Sequence, residues 1–335
     1  MIRLPAIHRK ALRDLWHMRG QAIAIALVIA SGIAMLRASG CVVVVLSRGG
    51  LGSLQDTRTR LYQDYRFSDV WAQVRRAPES VAARVAELPG VNEVETRVIA
   101  GGKLALPGFD KPIEALLLSL PDQGEPQQNR LYLRAGRMLA PFAQGEVLVS
   151  DAFAEARRLK PGDTLRATVY GRSQQFTVVG IAVSPEYLYQ IKPGALFPDY
   201  ERYAILWTHR RALGAAMNME GAFNQITVKL APGTSEAETL SAMDRILARY
   251  GSRGAIGRMD QLSYRYLHEE FRGLATMAWM FPLIFLGVAA FLLNVVFKRL
   301  IGTQRDQVAI LKAFGYSTLD VALHYGLIVT LIGVL

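Results

Sequence analysis

The chain has 335 residues, a formal net charge of +11 and a mean hydropathy of +0.18. That length suits two or three domains, and that hydropathy is high for a soluble protein and low for one embedded entirely in a membrane. The single cysteine, Cys41, excludes an internal disulfide, and the crowding of basic residues beside apolar runs favours juxtamembrane charge over nucleic-acid binding.

The N-terminal segment, residues 1–21, is rich in arginine and lysine and contains one acidic residue, Asp14. Leucines recur at a loosely helical spacing and are joined by Trp16. Basic amphipathic helices of this kind lie on membrane surfaces, with tryptophan at the interface. The pattern therefore predicts a short amphipathic helix on the membrane.

Residues 22–46 form the first apolar run. A helix of about 25 residues is long enough to cross a bilayer, and the run is too long for the core of a signal peptide. We therefore predict an uncleaved transmembrane helix. Arg37 lies inside it, either as a functional residue or as one that faces another helix or extends to the interface.

The positive-inside rule sets the orientation of the chain. The basic N-terminal tail and the basic residues that follow the second apolar run are both predicted to be cytoplasmic. The intervening region, residues 47–276, then lies outside the cytoplasmic membrane, because long loops are translocated regardless of their charge.

The outer region begins and ends with strand–helix units. Residues 69–74 predict a strand, a helix opens at Pro78 and Glu79 and ends at Pro89-Gly90, and residues 91–99 predict the next strand. A second strand at 225–230 and a helix at 235–250 repeat the pattern. These units predict a split α/β subdomain.

The middle of the outer region is mostly β. Residues 145–149 predict a strand, Ser150 is predicted to cap a helix over 151–159, and residues 164–170 and 174–183 predict a hairpin. The stretch 184–207, rich in tyrosine, proline and phenylalanine, is either a loop that faces a substrate or partner or a loop packed by its own aromatic rings. The fold class is therefore membrane α-helical spans plus an extracytoplasmic α+β domain, in which a β-rich subdomain is inserted into the split α/β subdomain.

The last part of the chain alternates between apolar and basic segments. Residues 259–274 predict a helix that continues into a second span, 277–297, which carries no charge. Residues 298–318 form a basic cytoplasmic segment whose short helix has an apolar side, and residues 319–335 begin a third span that is too short for a full crossing and looks truncated.

Motifs of catalysis are missing from the sequence. It has no phosphate-binding Gly-x-x-x-x-Gly-Lys-Ser/Thr loop, no paired histidine spacing for a metal and no Gly-x-Ser-x-Gly nucleophile elbow. We therefore predict no catalytic, cofactor-binding or metal-binding residue, and no enzymatic activity.

The segment 304–317, Gln-Arg-Asp-Gln-Val-Ala-Ile-Leu-Lys-Ala-Phe-Gly-Tyr-Ser, resembles the Arg-x-Glu-Ile-Gly-x-Leu-Arg/Lys-Ala-x-Gly-Ala-Ser segment of the FtsX-like permeases of ABC transporters, the group with the MacB and LolC/LolE types. Ile310-Leu311-Lys312-Ala313 and Gly315 fit the pattern, whereas Gln307 and Ala309 stand where glutamate and glycine are usual. Residues 145–183 are similar to the β-rich extracytoplasmic subdomain of the same family.

The resemblance implies a multi-pass permease of the inner cell membrane whose cytoplasmic helix is seated on a separate ATPase subunit. It also implies a dimer with a second permease copy or homologue, and it leaves open whether a periplasmic adaptor binds. The alternatives are an FtsX-like subunit that regulates extracytoplasmic cell-wall hydrolases, and an unrelated membrane-anchored receptor or enzyme. The residues that would couple to the ATPase are Arg305, Gln307, Ile310, Leu311, Lys312, Phe314 and Gly315.

Overall fold

The computed structural model describes residues 51–106, 113–303, 305–319 and 321. The predictions for residues 1–50, which include the amphipathic segment, the first span and Arg37, lie outside the described residues, as does the third apolar run from residue 322. The chain divides into two compact units, one of Gln55–Glu270 and one of Met1–Leu54 with Phe271–Leu335.

The described elements, in chain order, are α1 (Leu51–Asp64), β1 (Val70–Pro78), α2 (Ser80–Ala86), β2 (Val91–Arg97), β3 (Ile99–Ala105), β4 (Ile113–Leu120), β5 (Tyr132–Gly136), β6 (Glu146–Ser150), α3 (Asp151–Arg157), β7 (Thr164–Val169), β8 (Arg172–Val183), β9 (Tyr203–His209), α4 (Arg210–Met217), β10 (Ala222–Leu230), α5 (Glu236–Leu247), β11 (Ala255–Gly257), α6 (Leu262–Thr303) and α7 (Arg305–Ala313).

The first sheet of the Gln55–Glu270 unit has the strand order β11–β1–β10–β2, and its neighbouring strands are antiparallel. Strands β1 and β2 are joined through α2 but separated by β10, which is the split βαβ arrangement. Helices α2 and α5 bury Val85 and Leu247 against Phe223 and Ile226 of β10. The predicted split α/β subdomain is present.

The second sheet has the order β5–β8–β6–β9–β4–β3–β7, and a further pairing of β8 with β7 closes it into a ring. The closure is possible because β8 has 12 residues: its first half pairs with β7 and its second half with β6 and β5. Buried side chains from these strands and from α3 and α4 form the core. The predicted hairpin is β7–β8, and residues at alternate positions of β7 are buried as expected.

The predicted strand over residues 91–99 is wrong in one respect, because it consists of two strands in different sheets. β2 pairs with β10, whereas β3 pairs with β4 and β7. Val98, fully buried, lies between them. The side chain of Asn224 holds the chain at this crossing through two hydrogen bonds to the backbone of Ile99. Its Oδ1 accepts from the Ile99 amide at 2.7 Å, and its Nδ2 donates to the Ile99 carbonyl at 2.7 Å.

Helix α3 also differs from the prediction. Ser150 occupies the N-cap with an extended backbone, but its hydroxyl makes no capping hydrogen bond. Its Oγ is buried and has no hydrogen-bond partner among the described residues. The helix ends at Arg157, two residues earlier than predicted, because Arg158 turns to a left-handed conformation with φ of 56°.

The aromatic stretch 184–207 is structured at both of its ends. Its first residues are buried beside the end of β8, and its last residues form the wholly buried strand β9. Between them, Leu196 and Phe197 are 82% and 71% exposed. The stretch is therefore packed where it joins the sheet and presents an apolar tip to solvent.

The other unit contains most of α6 and all of α7. Helix α6 runs for 42 residues, so the helix predicted at 259–274 does continue into the apolar run that follows it. Helix α7 forms where the short cytoplasmic helix was predicted. Across the described ranges, no helix combines the length and the apolarity required to cross a membrane.

Candidate functional site

The predicted coupling residues lie on α7 and on the turn that follows it. Ile310 is 50% exposed and Phe314 is 79% exposed, whereas Leu311 is only 9% exposed. Of the apolar residues expected to face a partner, Ile310 and Phe314 are therefore accessible and Leu311 is not. The set comprises Arg305, Gln307, Ile310, Leu311 and Lys312 on the helix, and Phe314 and Gly315 after it.

The end of α7 is set by Gly315. Its φ of +87° is in the left-handed region, where a side chain is unfavourable. This conformation lets the amide of Tyr316 donate to the carbonyl of Leu311 at 3.2 Å and the amide of Gly315 donate to Lys312 at 3.0 Å. The glycine of the predicted motif thus ends the helix at Ala313 and leaves Phe314 in the turn that follows.

A buried carboxylate lies where the two sheets of the Gln55–Glu270 unit meet. Glu186, in the short turn after β8, is 2% exposed. Arg97, at the end of β2 in the other sheet, donates to both of its oxygens, at 2.6 and 2.5 Å. The indole Nε1–H of Trp71, on β1, donates to the same carboxylate at 2.6 Å. Bidentate arginine–carboxylate pairs of this kind are strong and directional.

The pairing with Glu186 stabilises the charge on Arg97. Burial opposes the charge on Arg97, but the charge and hydrogen bonds of Glu186 outweigh burial, so the pKa of Arg97 is raised. The remaining Nε–H of Arg97 donates to the side chain of Gln225 on β10. The two opposite charges thus compensate each other, and removing either residue would leave an unpaired charge in a site that excludes water.

The segment that contains Glu186 also forms hydrogen bonds with the start of α6. Gln261 donates from Nε2 to the backbone carbonyl of Glu186 at 2.6 Å and accepts the Tyr264 amide at 2.7 Å. The hydroxyl of Ser263 accepts from the amide of Tyr189 at 3.0 Å. The start of α6 is therefore hydrogen-bonded directly to the segment that contains Glu186.

Aromatic packing strengthens this attachment. Phe67 is fully buried, with its ring 4.4 Å from that of Tyr62 on α1 and 6.1 Å from that of Tyr264 on α6. Trp71 joins the cluster at 5.0 Å from Phe67. The start of α6 is therefore packed against α1 and β1 as well as bonded to Glu186.

A second ion pair joins the two sheets. Arg210, the first residue of α4, donates to the carboxylate of Glu79 and to the backbone carbonyl of Thr96 at 2.7 Å. This guanidinium is less buried than that of Arg97. The sheets are thus connected by one buried and one partly exposed arginine–glutamate pair.

A cavity of about 640 Å³ opens beside Glu186. Its lining is mainly apolar and aromatic, with Trp71 and Ile256 from the first sheet and Tyr187 and Tyr203 from the second. Burial raises the pKa of Tyr203 to about 12 and also raises that of Tyr187, so both phenols are neutral at physiological pH. A mainly apolar and aromatic cleft of this size is suited to enclosing an apolar group.

In the part of the chain that the structure describes, no group of three histidine, cysteine, aspartate or glutamate side chains could hold a metal ion. The buried charges of Arg97 and Glu186 are engaged with each other. What the arrangement provides is a fixed connection between two sheets and a helix, with a cleft beside it.

Sequence patterns do not reveal this junction. Arg97 and Glu186 are 89 positions apart, and neither belongs to a motif. The one available signal is the position of Glu186 in an aromatic, proline-rich stretch of the chain. The partner could not be identified without knowing that β2 and the end of β8 face each other.

Residues 22–246 match the family model of the MacB-like periplasmic core domain. Among solved structures, the extracellular domain of the noncanonic ABC-type transporter YknZ from Gram-positive bacteria is similar, with 12% identity and a TM-score of 0.37 over 57% of this chain and 98% of that one. The periplasmic region of MacB from Actinobacillus actinomycetemcomitans gives 12% identity and a TM-score of 0.37 over 64% and 98%. No curated protein matches the sequence.

Proposed function

Because the chain belongs to the family of MacB-like periplasmic core domains, we propose that it is the permease subunit of an ABC transporter and is driven by a separate ATPase. The observation that carries the coupling role is the surface at the end of α7, where Ile310 and, in the turn that follows the helix, Phe314 are exposed. Exposed apolar and aromatic side chains are typical of the centre of a protein interface.

The proposal includes a membrane arrangement. Residues 22–46 and 277–297 would be spans, a third would begin at 319, and residues 47–276 would lie outside the inner cell membrane. The positive charges after the second span favour a cytoplasmic position for α7, where an ATPase would be found. A second permease copy or homologue would complete a dimer.

The proposed mechanism is mechanical. Closure of the ATPase on nucleotide would displace α7, and the displacement would pass along α6, whose 42 residues are uninterrupted. At the start of α6, Gln261 just before the helix and Ser263 in its first turn are hydrogen-bonded to the segment that contains Glu186. A movement of α6 would therefore act on the junction of the two sheets, where the cleft lies.

Replacing Phe314 by aspartate is expected to weaken capture of the ABC ATPase by the full-length chain by about 30-fold or more, the loss typical of an interface hot spot of about 2 kcal/mol. The change removes an exposed apolar ring and leaves the helix end at Gly315 in place. The measurement is co-purification of the ATPase from membranes, with Phe314→Leu as the conservative control that should retain binding.

Undiminished ATPase capture by Phe314→Asp would contradict the coupling role of α7. Leu311→Asp is a weaker test, because Leu311 is buried and its loss would also disturb folding. Stimulation of ATP hydrolysis by a transported molecule would support export, whereas binding of a cell-wall hydrolase to residues 47–276 would support the signalling alternative.

A further inference from the structure

The cleft beside Glu186 is part of a longer groove. A neighbouring cavity of about 450 Å³ is lined in part by the same residues. Together the two cavities follow the seam between the sheets, and we call them the seam groove. The residues that line both are Gln73, Ile99, Gly101, Leu116 and Arg253.

One end of the seam groove is basic. Arg75 and Arg253 line the smaller cavity, and no acidic side chain among the described residues lines it. Both arginines are exposed, and neither side chain has an ion-pair partner in the described part of the chain. A methyl group on Gly251 would come within 2.9 Å of Arg75 Cγ, so the stem of Arg75 is held against the backbone there.

The other end of the seam groove is apolar. Tyr187, Tyr203 and Ile256 line the larger cavity. Glu186 also lines it and is neutralised by Arg97, and the exposed Asp260 and Arg253 contribute one charge of each sign. An anionic group would therefore be attracted to the end with two arginines, where no acidic side chain of the described residues opposes it.

We propose that the seam groove binds a single-chain amphiphile with an anionic head group, of the long-chain fatty-acid class. The carboxylate lies between Arg75 and Arg253, which can bind it through forked hydrogen bonds. The hydrocarbon chain lies against Tyr187, Tyr203 and Ile256, where it is removed from water. The volumes are in the range of cavities that enclose small ligands.

This binding is a property of the Gln55–Glu270 unit and does not depend on coupling to an ATPase. The test uses the full-length chain in lipid nanodiscs with a diazirine-bearing hexadecanoate, photolysed and mapped by peptide mass spectrometry, without ATPase or nucleotide. The expected labels fall on residues 185–193 and 253–262. Excess palmitate should displace them, and hexadecanol, which lacks the charge, should not.

The charge reversal Arg75→Glu with Arg253→Glu is expected to reduce labelling of the groove at least tenfold, measured against labelling of residues 277–297 in the same sample. The matched control is Arg76→Glu with Arg166→Glu, which changes the same charge at two exposed arginines outside the groove. Arg253→Gln, a milder change, provides a second variant if the double reversal lowers the yield of folded protein.

Any of three results would overturn the proposal. Labels confined to other parts of the chain would show that the groove is not occupied. Equal displacement by palmitate and hexadecanol, or equal labelling of the two double variants, would show that the arginines do not recognise a head group. The ATPase-capture result with Phe314→Asp is independent of these outcomes.

Discussion

Replacing Glu186 by alanine is expected to lower the free energy of unfolding of the Gln55–Glu270 unit by about 3–5 kcal/mol, the cost of leaving one member of a buried ion pair unpaired. Arg97 would lose both of its bonds to the carboxylate, and the indole N–H of Trp71 would lose its acceptor. The melting temperature should fall by about 10 °C. The measurement is thermal unfolding of the purified full-length chain, followed by tryptophan fluorescence.

The matched control is Glu114→Ala. Glu114 also forms an ion pair, with Lys192 at 2.6 Å, but the two side chains are 49% and 47% exposed. Loss of such a surface pair costs less than about 1 kcal/mol. The double replacement Arg97→Leu with Glu186→Leu should recover part of the stability, because no charge is left unpaired. Equal effects of Glu186→Ala and Glu114→Ala would contradict the role assigned to the buried pair.

Replacing Gly180 by valine is expected to destabilise the β-rich sheet by about 3 kcal/mol or more, the upper end of the cost of overpacking a core. A Cβ at this position would lie 2.4 Å from the carbonyl oxygen of Arg137 and about 3 Å from the side chains of Leu133 and Leu148. Because the nearest atom belongs to the backbone, rotation of a side chain cannot relieve the clash. We expect β5, which pairs with β8 through Gly136, to detach.

Hydrogen–deuterium exchange measures this directly, since detachment of β5 would expose its amides while those of the four-stranded sheet stay protected. Gly101→Val is the control, because a Cβ on Gly101, also inside a strand, would meet no atom within 4 Å. If exchange in β5 were the same in Gly180→Val as in the unchanged chain, the close approach would have no energetic importance.

The local patterns of the sequence predicted the regular elements well. Helix α2 was found because Pro89-Gly90 ends it, and the β7–β8 hairpin because its strands alternate on both sides of a glycine turn. The transfer of the chain between sheets at Val98 was not found. Residues 91–99 have the same strand-forming character throughout, and only pairing with distant strands decides where one sheet ends.

The candidate sites were predictable to different degrees. The helix that carries Phe314 could be predicted because its apolar spacing and terminal glycine are local signals, but the burial of Leu311 depends on packing that the spacing does not reveal. The Arg97–Glu186 pair and the seam groove arise from contacts between residues far apart in the chain. Their chemistry is evident only when the two sheets are placed side by side.

The two hydrogen bonds between Asn224 and Ile99 also bear on how this domain could change during evolution. They join Ile99, where the chain enters the ring-shaped sheet, to Asn224, which lies just after the chain has returned to the four-stranded sheet. Because entry and exit are neighbours, the whole ring could lengthen, shrink or be exchanged for another module without altering the order of the four strands beneath it. The four-stranded sheet would then be the constant base and the ring the part free to diversify.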